Sequence, residues 1–556
     1  MDRPKRSWER AAFGGLVALL LAPFVAQGLW RPLVYALGPS GSAGPITCAA
    51  LAITAALVLV QEARRGQAPV VSVALGGLLA GGASVGFSLG WPGFLALFTV
   101  AAVTAFLAPR LGGGLPATLD GLVARNRVLA ALYALLALFA VVSTARVSIF
   151  IGDPTRVDQQ AVPGEAFLET HSCLTAYVHA ATLSHRRVDN LYDERHWHGS
   201  HGLAPADAGA ANPYRPFLLD YYAYPPPFLL AMAPLAPFEG EFLAQRALWF
   251  GLNGLLLALG LWIVARWIDG PAAHRVLVLV PIFLGSLPVI ATLQIGNFQI
   301  AVVVISVLAM VAFDRGRPAI GGALLAFAIL SKISPGVLGL ILLVQRRWRA
   351  AAFAAGFGLL FLALSLLTIG AGPLGSFLTY ALPRIGSGQA FAFLDDTPFN
   401  ILTNMSPFGL PFKLQLLGLH VEDPWTVGRW ISHSYAALLV VVTVVAGRRA
   451  GSERSTAALT WISLLVLAAV QSPFAPAYAF IGLLWAITLL APEVRSVGGG
   501  VALVVLWLTL IVVPPTKDVF VRAAISLLQS AVVVGLPLWL VLRTRTRVGR
   551  APMRLG

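Results

Sequence analysis

Lys332 and the turn QIGNFQ (residues 294–299) are polar interruptions in strongly apolar surroundings. Polar groups at membrane depth are costly, so they tend to mark functional sites. Lys332 is one of only four lysines among 39 basic residues, and its compact ammonium suits phosphate binding. We expect Gln294 and Asn297 to contact a substrate. Two structural explanations stay open: Lys332 extends to the membrane interface, and QIGN only caps a helix.

Acids and histidines collect in one polar stretch, from Gly152 to about Tyr222. Six of the nine histidines lie there. A carboxylate held near the membrane surface could accept a proton from a reacting hydroxyl. The candidates that could do this acid–base work are Asp153, Asp158, Glu169 and His171.

The motif HWHGSH (residues 196–201) has histidines at a spacing that could share a metal ion. No cysteine accompanies it, and a solvated loop explains the nearby acids equally well, so we predict no metal site. A phosphate-cradling glycine loop, a G-x-S-x-G elbow and a dinucleotide fingerprint are all missing from the sequence. These absences argue against ATP-driven or nicotinamide chemistry, and we predict no cofactor.

Composition identifies the elements that must position these residues. The chain has 556 residues, of which 58% are hydrophobic and 11% are charged. Apolar runs of roughly 17–25 residues, long enough to cross the hydrocarbon layer, recur along it. The net charge of +15 is spread over short basic clusters between the apolar runs, as the positive-inside rule requires. The pattern predicts an all-α polytopic membrane protein that binds no nucleic acid.

Basic clusters set the predicted orientation, with both termini in the cytoplasm and about 16 membrane segments in the plasma (inner) membrane. Residues 152–222 and 371–432 are then large external loops, and residues 224–238 are a re-entrant or in-plane segment. Residues 318–344 lie between two basic clusters, so we predict two short helices broken at LSKISPG, with Lys332 at the external turn. Arg384 and Gln471 fall on the same external face.

Three parts follow from this reading. Residues 1–126 form an N-terminal four-helix extension, residues 127–491 form the core with both external loops, and residues 492–556 form two C-terminal helices and a basic tail. Cys48 and Cys173 lie in different environments, so a disulfide between them is not expected.

The order of several motifs over roughly residues 127–491 resembles glycosyltransferase family 87, whose members are GT-C-fold mannosyltransferases that use polyprenyl-phosphate mannose. The motifs, in chain order, are HSCLTAYVHAATLSHRRVDNLYD, YYAYPPPFLLAMAPLAPF, the block from Gln294 to Trp348, and QSPF. The resemblance implies a GT-C-like fold and transfer of a sugar on the external face, with mannose as the expected sugar. The donor would be a polyprenyl-phosphate sugar, and the acceptor a lipid or a glycan.

The sequence departs from the family at two places. Cys173 stands where the family usually carries an Asp, and QSPF lacks the tryptophan and histidine that often follow it. We therefore rank Glu169 first and Asp153 second as the catalytic base, with His171 orienting whichever acid acts. Glu169 and His171 precede LTAYVHAATL, which we predict to be an amphipathic helix lying on the membrane.

The residues expected to bind the donor phosphate or substrate are Lys332, Arg384, Gln294, Asn297 and Gln471. Two other functions stay open: a secondary transporter, which would show inverted repeats and broken helices, and a catalytically inactive scaffold descended from such enzymes. The absence of the family's Asp motivates the scaffold.

Overall fold

The structure is a computed structural model that describes residues 16, 19–21, 23–32, 127–197, 212–449, 453–494, 496–511 and 516–543. The chain is helical in these ranges, and no β-strand occurs in them. The predicted N-terminal extension therefore lies almost entirely outside the described residues. Cys48 and the two histidines at 198 and 201 also lie outside them.

Helices in the part of the chain before Pro318 are named in chain order: α1 (Arg127–Gly152), α2 (Ala166–Thr170), α3 (Cys173–His185), α4 (Phe242–Ile268), α5 (Gly270–Leu284), α6 (Leu287–Ile295) and α7 (Gln299–Asp314). The later helices are α8 (Pro318–Ser331), α9 (Gly336–Val344), α10 (Trp348–Thr368), α11 (Gly372–Ser376), α12 (Leu382–Ser387), α13 (Pro398–Thr403), α14 (Leu410–Leu416), α15 (Pro424–Arg449), α16 (Arg454–Ala469), α17 (Phe480–Leu490), α18 (Val497–Ile511) and α19 (Val519–Leu542). A 3-10 helix, Pro226–Phe238, occupies the predicted re-entrant segment.

Five helices among the described residues are long and apolar enough to cross a membrane: α1, α4, α10, α15 and α19. A sixth span is possible if α5 and α6, which meet at a 59° bend, act as one. Helix α10 shows the lipid-facing character most clearly. Only Ala350 and Ser365 of its 21 residues are buried, whereas Leu367 is 77% exposed. Exposed apolar surface of this kind suits a hydrocarbon environment. The total of about 16 segments stays a prediction.

The described residues divide into two compact units. The first unit contains the residues up to Tyr222 together with Leu229–Val304. Within it, α4 packs against α1, α5 and α6, and α6 also contacts α1 and α2. Helix α3 was predicted to lie on the membrane with one apolar face. The helix is present, but nine of its 13 residues are buried, so it is packed into this unit on more than one side.

The second unit contains Ala223–Phe228 and the residues from Ile305 onward. Within it, α8 packs closely on α10 at Gly322. A Cβ added at this glycine would lie only 2.7 Å from the backbone carbonyl carbon of Phe353. Helix α9 contacts α15 and α16, and α16 contacts α17 and α19. The apolar run predicts a span over residues 433–447, but helix α15 begins nine residues earlier, at Pro424. Asp423 accepts a hydrogen bond from the Thr426 N–H and caps the helix there.

The predicted break at LSKISPG is confirmed. Helix α8 ends at Ser331, and Lys332 follows in extended backbone conformation. Pro335 then precedes α9, which has only nine residues. At about 1.5 Å per residue, neither α8 nor α9 alone spans the ~30 Å of hydrocarbon. The proline lacks a backbone N–H and disfavours helical geometry in the preceding residue, which explains why the two helices do not merge.

Candidate active site

Lys332 occupies the gap between α8 and α9, where two tyrosine rings surround its side chain. Its Nζ atom lies 4.8 Å from the ring centroid of Tyr478 and 5.6 Å from that of Tyr224. Both distances fit cation–π contacts. The Nζ atom is shielded from solvent, which argues against the alternative in which this lysine only extends to the water interface.

The segment after Gln471 supplies one of these tyrosines. Gln471 is half-buried, and QSPFAP leads into a 3-10 turn, Ala477–Ala479, that contains Tyr478. The Asn404 side chain fixes this segment by donating to the Pro473 carbonyl at 2.9 Å and accepting from the Ala475 N–H at 3.0 Å. The loop 371–432 therefore positions the aromatic partner of Lys332.

Arg384 lies in the same unit, on the short helix α12. Its guanidinium carbon lies 4.9 Å from the centroid of the Tyr380 ring. The side chain is half-buried, and its Nε atom is shielded from solvent. A cation stacked on an aromatic ring and partly removed from water can still bind a phosphate oxygen.

The QIGN turn is a helix cap, which confirms the structural explanation of its glycine. Gly296 has φ +71° and terminates α6 in the left-handed conformation, which glycine adopts without strain. A Cβ at this position would also meet the Trp249 ring at 3.1 Å. The Trp249 indole donates to the Gly296 carbonyl at 2.8 Å, so the turn is held in place.

The side chains of Gln294 and Asn297, on either side of this glycine, form hydrogen bonds to the predicted loop 152–222. The Gln294 side chain accepts from the Ala161 N–H at 2.6 Å and donates to the Leu168 carbonyl at 2.8 Å. Asn297 donates to the Cys173 sulfur at 3.3 Å. These contacts anchor the acid-bearing loop to α6, and they explain why both amides are buried.

His171 lies in a cluster with Cys173 and Asp220. Its Nε2 atom is 3.4 Å from the Cys173 sulfur and 3.7 Å from Oδ2 of Asp220. The imidazole stacks on the Phe167 ring at 4.4 Å between centroids. Asp220 was not among the candidates predicted from the sequence. Its carboxylate stands beside Cys173, where the resemblance led us to expect an acid. An isolated acid in the apolar run FLLDYYAY was an available signal.

The two acids predicted as bases differ in their surroundings. Asp153 is exposed, and its Oδ1 atom accepts from Thr155 Oγ1 at 2.6 Å and from the Thr155 N–H at 3.1 Å. The Thr155 side chain, followed by the backbone bond and nearby arginines, lowers the pKa of Asp153 below its usual range. Glu169 is half-buried on α2, one residue past the buried Leu168. A lowered pKa makes a carboxylate a weaker base, which weakens the case for Asp153.

Comparison with known proteins gives one family. The sequence model described as glycosyltransferase family 87 matches residues 222–473. Neither a curated protein nor a solved structure matches the chain. The matched range contains Gln294, Asn297, Lys332, Arg384 and Gln471, and it begins just after Asp220.

Proposed function

Because residues 222–473 match glycosyltransferase family 87, which indicates a membrane glycosyltransferase, we propose that this protein transfers mannose from a polyprenyl-phosphate donor. The acceptor is a lipid or a glycan on the non-cytoplasmic side of the plasma (inner) membrane. The donor assignment rests on one observation. Lys332 lies at a helix break within the matched range, and its ammonium contacts the rings of Tyr224 and Tyr478.

A lipid-linked phosphosugar fits this environment for two reasons. A shielded ammonium interacts more strongly with a phosphate than an ammonium in bulk water does. The sequence also lacks the glycine-rich loops that bind nucleotide phosphates. Lys332 is the first candidate for the phosphate contact, and Arg384 is the second. A cation beside that phosphate stabilises the charge that develops as polyprenyl phosphate leaves.

The transfer itself is a direct displacement. The acceptor hydroxyl oxygen forms a bond to the anomeric carbon while the bond from that carbon to the phosphate oxygen breaks. The hydroxyl proton passes to a carboxylate, and polyprenyl phosphate departs with the bonding electron pair. We propose Glu169 as this carboxylate, with Asp153 second and His171 orienting the acid. General-base catalysis of this kind contributes about 10²–10⁴-fold in rate.

The sugar assignment is tested with a panel of donors that share one polyprenyl phosphate and differ only in the sugar. Purified protein is incubated with each donor and a membrane extract that supplies acceptors. We expect mannose to be transferred with the highest kcat/KM. Preferential transfer of another hexose or of a pentose would leave the glycosyltransferase assignment intact and overturn the mannose assignment.

A further inference from the structure

We propose that His171, Cys173 and Asp220 bind one divalent metal ion of the borderline-soft class, with Zn²⁺ as the first candidate. The inference goes beyond sugar transfer and does not depend on which sugar or acceptor is used. It concerns the first unit only, where an imidazole nitrogen, a thiol sulfur and a carboxylate oxygen all lie within 4.8 Å of one another. Together these three atoms form a mixed nitrogen, sulfur and oxygen ligand set.

Two of the three separations between these atoms, those from the imidazole nitrogen, match the separations around a single tetrahedral ion, and the sulfur and the carboxylate oxygen lie within 4.8 Å of each other. Bonds of about 2.3 Å to sulfur and about 2.0–2.1 Å to nitrogen or oxygen, at tetrahedral angles, put the nitrogen about 3.6 Å from the sulfur and about 3.4 Å from the oxygen. The observed separations from His171 Nε2 are 3.4 Å to the Cys173 sulfur and 3.7 Å to Asp220 Oδ2. Three protein ligands leave one tetrahedral position for a water molecule.

The ligand residues are positioned by contacts that do not involve an ion. Thr175 Oγ1 donates to the Leu218 carbonyl at 3.0 Å and accepts from the Asp220 N–H at 3.0 Å. The Leu218 N–H donates to the Thr170 carbonyl at 2.8 Å. The segment that carries Asp220 is therefore fixed against the turn that carries His171. Oδ1 of Asp220 accepts from the Tyr221 N–H at 3.0 Å, which leaves Oδ2 directed at the cluster.

Neighbouring groups support both the thiolate and the ring orientation. The Asn297 amide donates to the Cys173 sulfur, and such a bond favours the charged thiolate that binds a metal. Phe167 stacks on the imidazole and fixes its plane. The His171 and Asp220 side chains are 20% and 29% exposed, so an ion can enter from solvent.

The donor set decides the class of ion. Thiolate and imidazole ligands favour Zn²⁺ and related transition metals, whereas Mg²⁺ and Ca²⁺ prefer oxygen ligands. A bound ion would link residues 171–173 to residue 220, which lie in the early and final parts of the predicted loop 152–222. It would thereby stabilise the conformation of that loop.

Metal binding is measured directly on the purified full chain, with any affinity tag removed. Co²⁺ serves as the spectroscopic probe, and elemental analysis after dialysis against Zn²⁺ gives the stoichiometry. We expect one ion per chain and a thiolate-to-cobalt charge-transfer band. Cys173→Ser should abolish the band, and Asp220→Asn should weaken Zn²⁺ binding at least about tenfold. Asn297→Ala should weaken Zn²⁺ binding by about 10–100-fold, because the Asn297 amide donates to the Cys173 sulfur.

Matched controls separate this cluster from other sites. Cys48→Ser removes the other cysteine of the chain and should keep the band. His185→Gln disrupts an exposed histidine–glutamate pair, His185 and Glu239, whose atoms lie 3.8 Å apart, and it should keep Zn²⁺ affinity. If Cys173→Ser does not fold, the Zn²⁺ affinity of Asp220→Asn tests the proposal instead.

Three results would overturn the proposal: wild-type protein without bound ion above background, an unchanged band in Cys173→Ser, or loss of Zn²⁺ only when His196, His198 and His201 are replaced. If wild-type protein binds no ion and Asp220→Asn loses sugar transfer, Asp220 and His171 would instead act as a proton-accepting pair. The three results that would overturn the metal site leave the assignment of sugar transfer unchanged.

Discussion

The Nζ atom of Lys332 lies 4.8 Å from the ring centroid of Tyr478, although the two residues are 146 positions apart in the sequence. The break between α8 and α9 presents the lysine, and the segment after Gln471 presents the tyrosine. The contact brings together two of the motifs that suggested a lipid-phosphate donor. It also keeps the ammonium in a shielded, aromatic environment where a phosphate is a strong ligand.

Lys332→Ala should reduce transfer at least about 10²-fold with folding preserved, because the donor phosphate loses its principal cation. Lys332→Arg should recover part of the activity, since the planar guanidinium keeps the charge but differs in reach and geometry. Activity is measured with saturating acceptor, and folding by size-exclusion profile and thermal unfolding. The matched control is Lys517→Ala, which removes an exposed lysine and should leave turnover unchanged. Wild-type turnover in Lys332→Ala would remove this residue from the donor site.

Glu169→Gln should lower kcat by at least about 10²-fold while leaving donor affinity nearly intact, because the amide keeps the size of the side chain but cannot accept the proton. Asp153→Asn should have a smaller effect, since hydrogen bonding to Thr155 lowers the pKa of Asp153 and weakens it as a base. Glu165→Gln is the matched control, because Glu165 precedes α2 by one residue and lies one turn before Glu169.

Full turnover in both Glu169→Gln and Asp153→Asn would redirect the search for the base to Asp158, Asp395 and Asp396. Two of these acids already have partners. Asp158 accepts from Gln159, and Asp395 accepts from the Trp425 indole at 2.9 Å. Asp158 or Asp395 could accept the proton of the acceptor hydroxyl only if those contacts rearranged.

Gln294→Leu should destabilise the protein, because it leaves the buried Leu168 carbonyl and the Ala161 N–H without their partner. Each unsatisfied buried group costs about 1–3 kcal/mol. The midpoint of thermal unfolding should therefore fall. Gln415→Leu removes an exposed bond to the Val421 carbonyl and should change the midpoint much less. An unchanged midpoint with a raised KM for the donor would instead make Gln294 a substrate contact, as the sequence suggested.

Accessibility of introduced cysteines tests the predicted orientation. Leu419→Cys and Ala206→Cys should react with a membrane-impermeant thiol reagent added outside intact cells, and Ser452→Cys should not. Leu419 is 56% exposed, whereas Met405 in the same loop is 3% exposed and would report burial instead of sidedness. Labelling at position 452 from outside would reverse the orientation and move the proposed active site to the cytoplasm.

Local patterns in the sequence were enough to predict several elements. The basic clusters on either side of residues 318–344 predicted the break beside Lys332, and a helix cap at QIGN was one of the two explanations left open. The start of α15 was missed because its signal lies in the polar pair Asp423–Pro424 and not in the apolar run. Hydropathy detects a span, whereas capping decides where its helix begins.

The contacts of the candidate site could not be read from sequence in the same way. Asp220 is held near His171 because its N–H donates to Thr175 Oγ1, which in turn donates to the Leu218 carbonyl, and no periodicity encodes these contacts. Gln294 looked like a substrate ligand because it is polar in an apolar region. Its buried partners at Ala161 and Leu168 are long-range contacts that only the folded chain shows.

We propose that a polyprenyl phosphate, and not a nucleotide, carries the sugar. Purified protein in lipid nanodiscs is given either polyprenyl-phosphate mannose or nucleotide-diphosphate mannose, both radiolabelled, with acceptors from a membrane extract. We predict that label enters a new glycosidic product only from the lipid donor, that one polyprenyl phosphate is released for each sugar transferred, and that Lys332→Ala suppresses both. Transfer from the nucleotide donor alone would contradict this account, as would movement of the lipid donor across sealed vesicles without a new glycosidic bond.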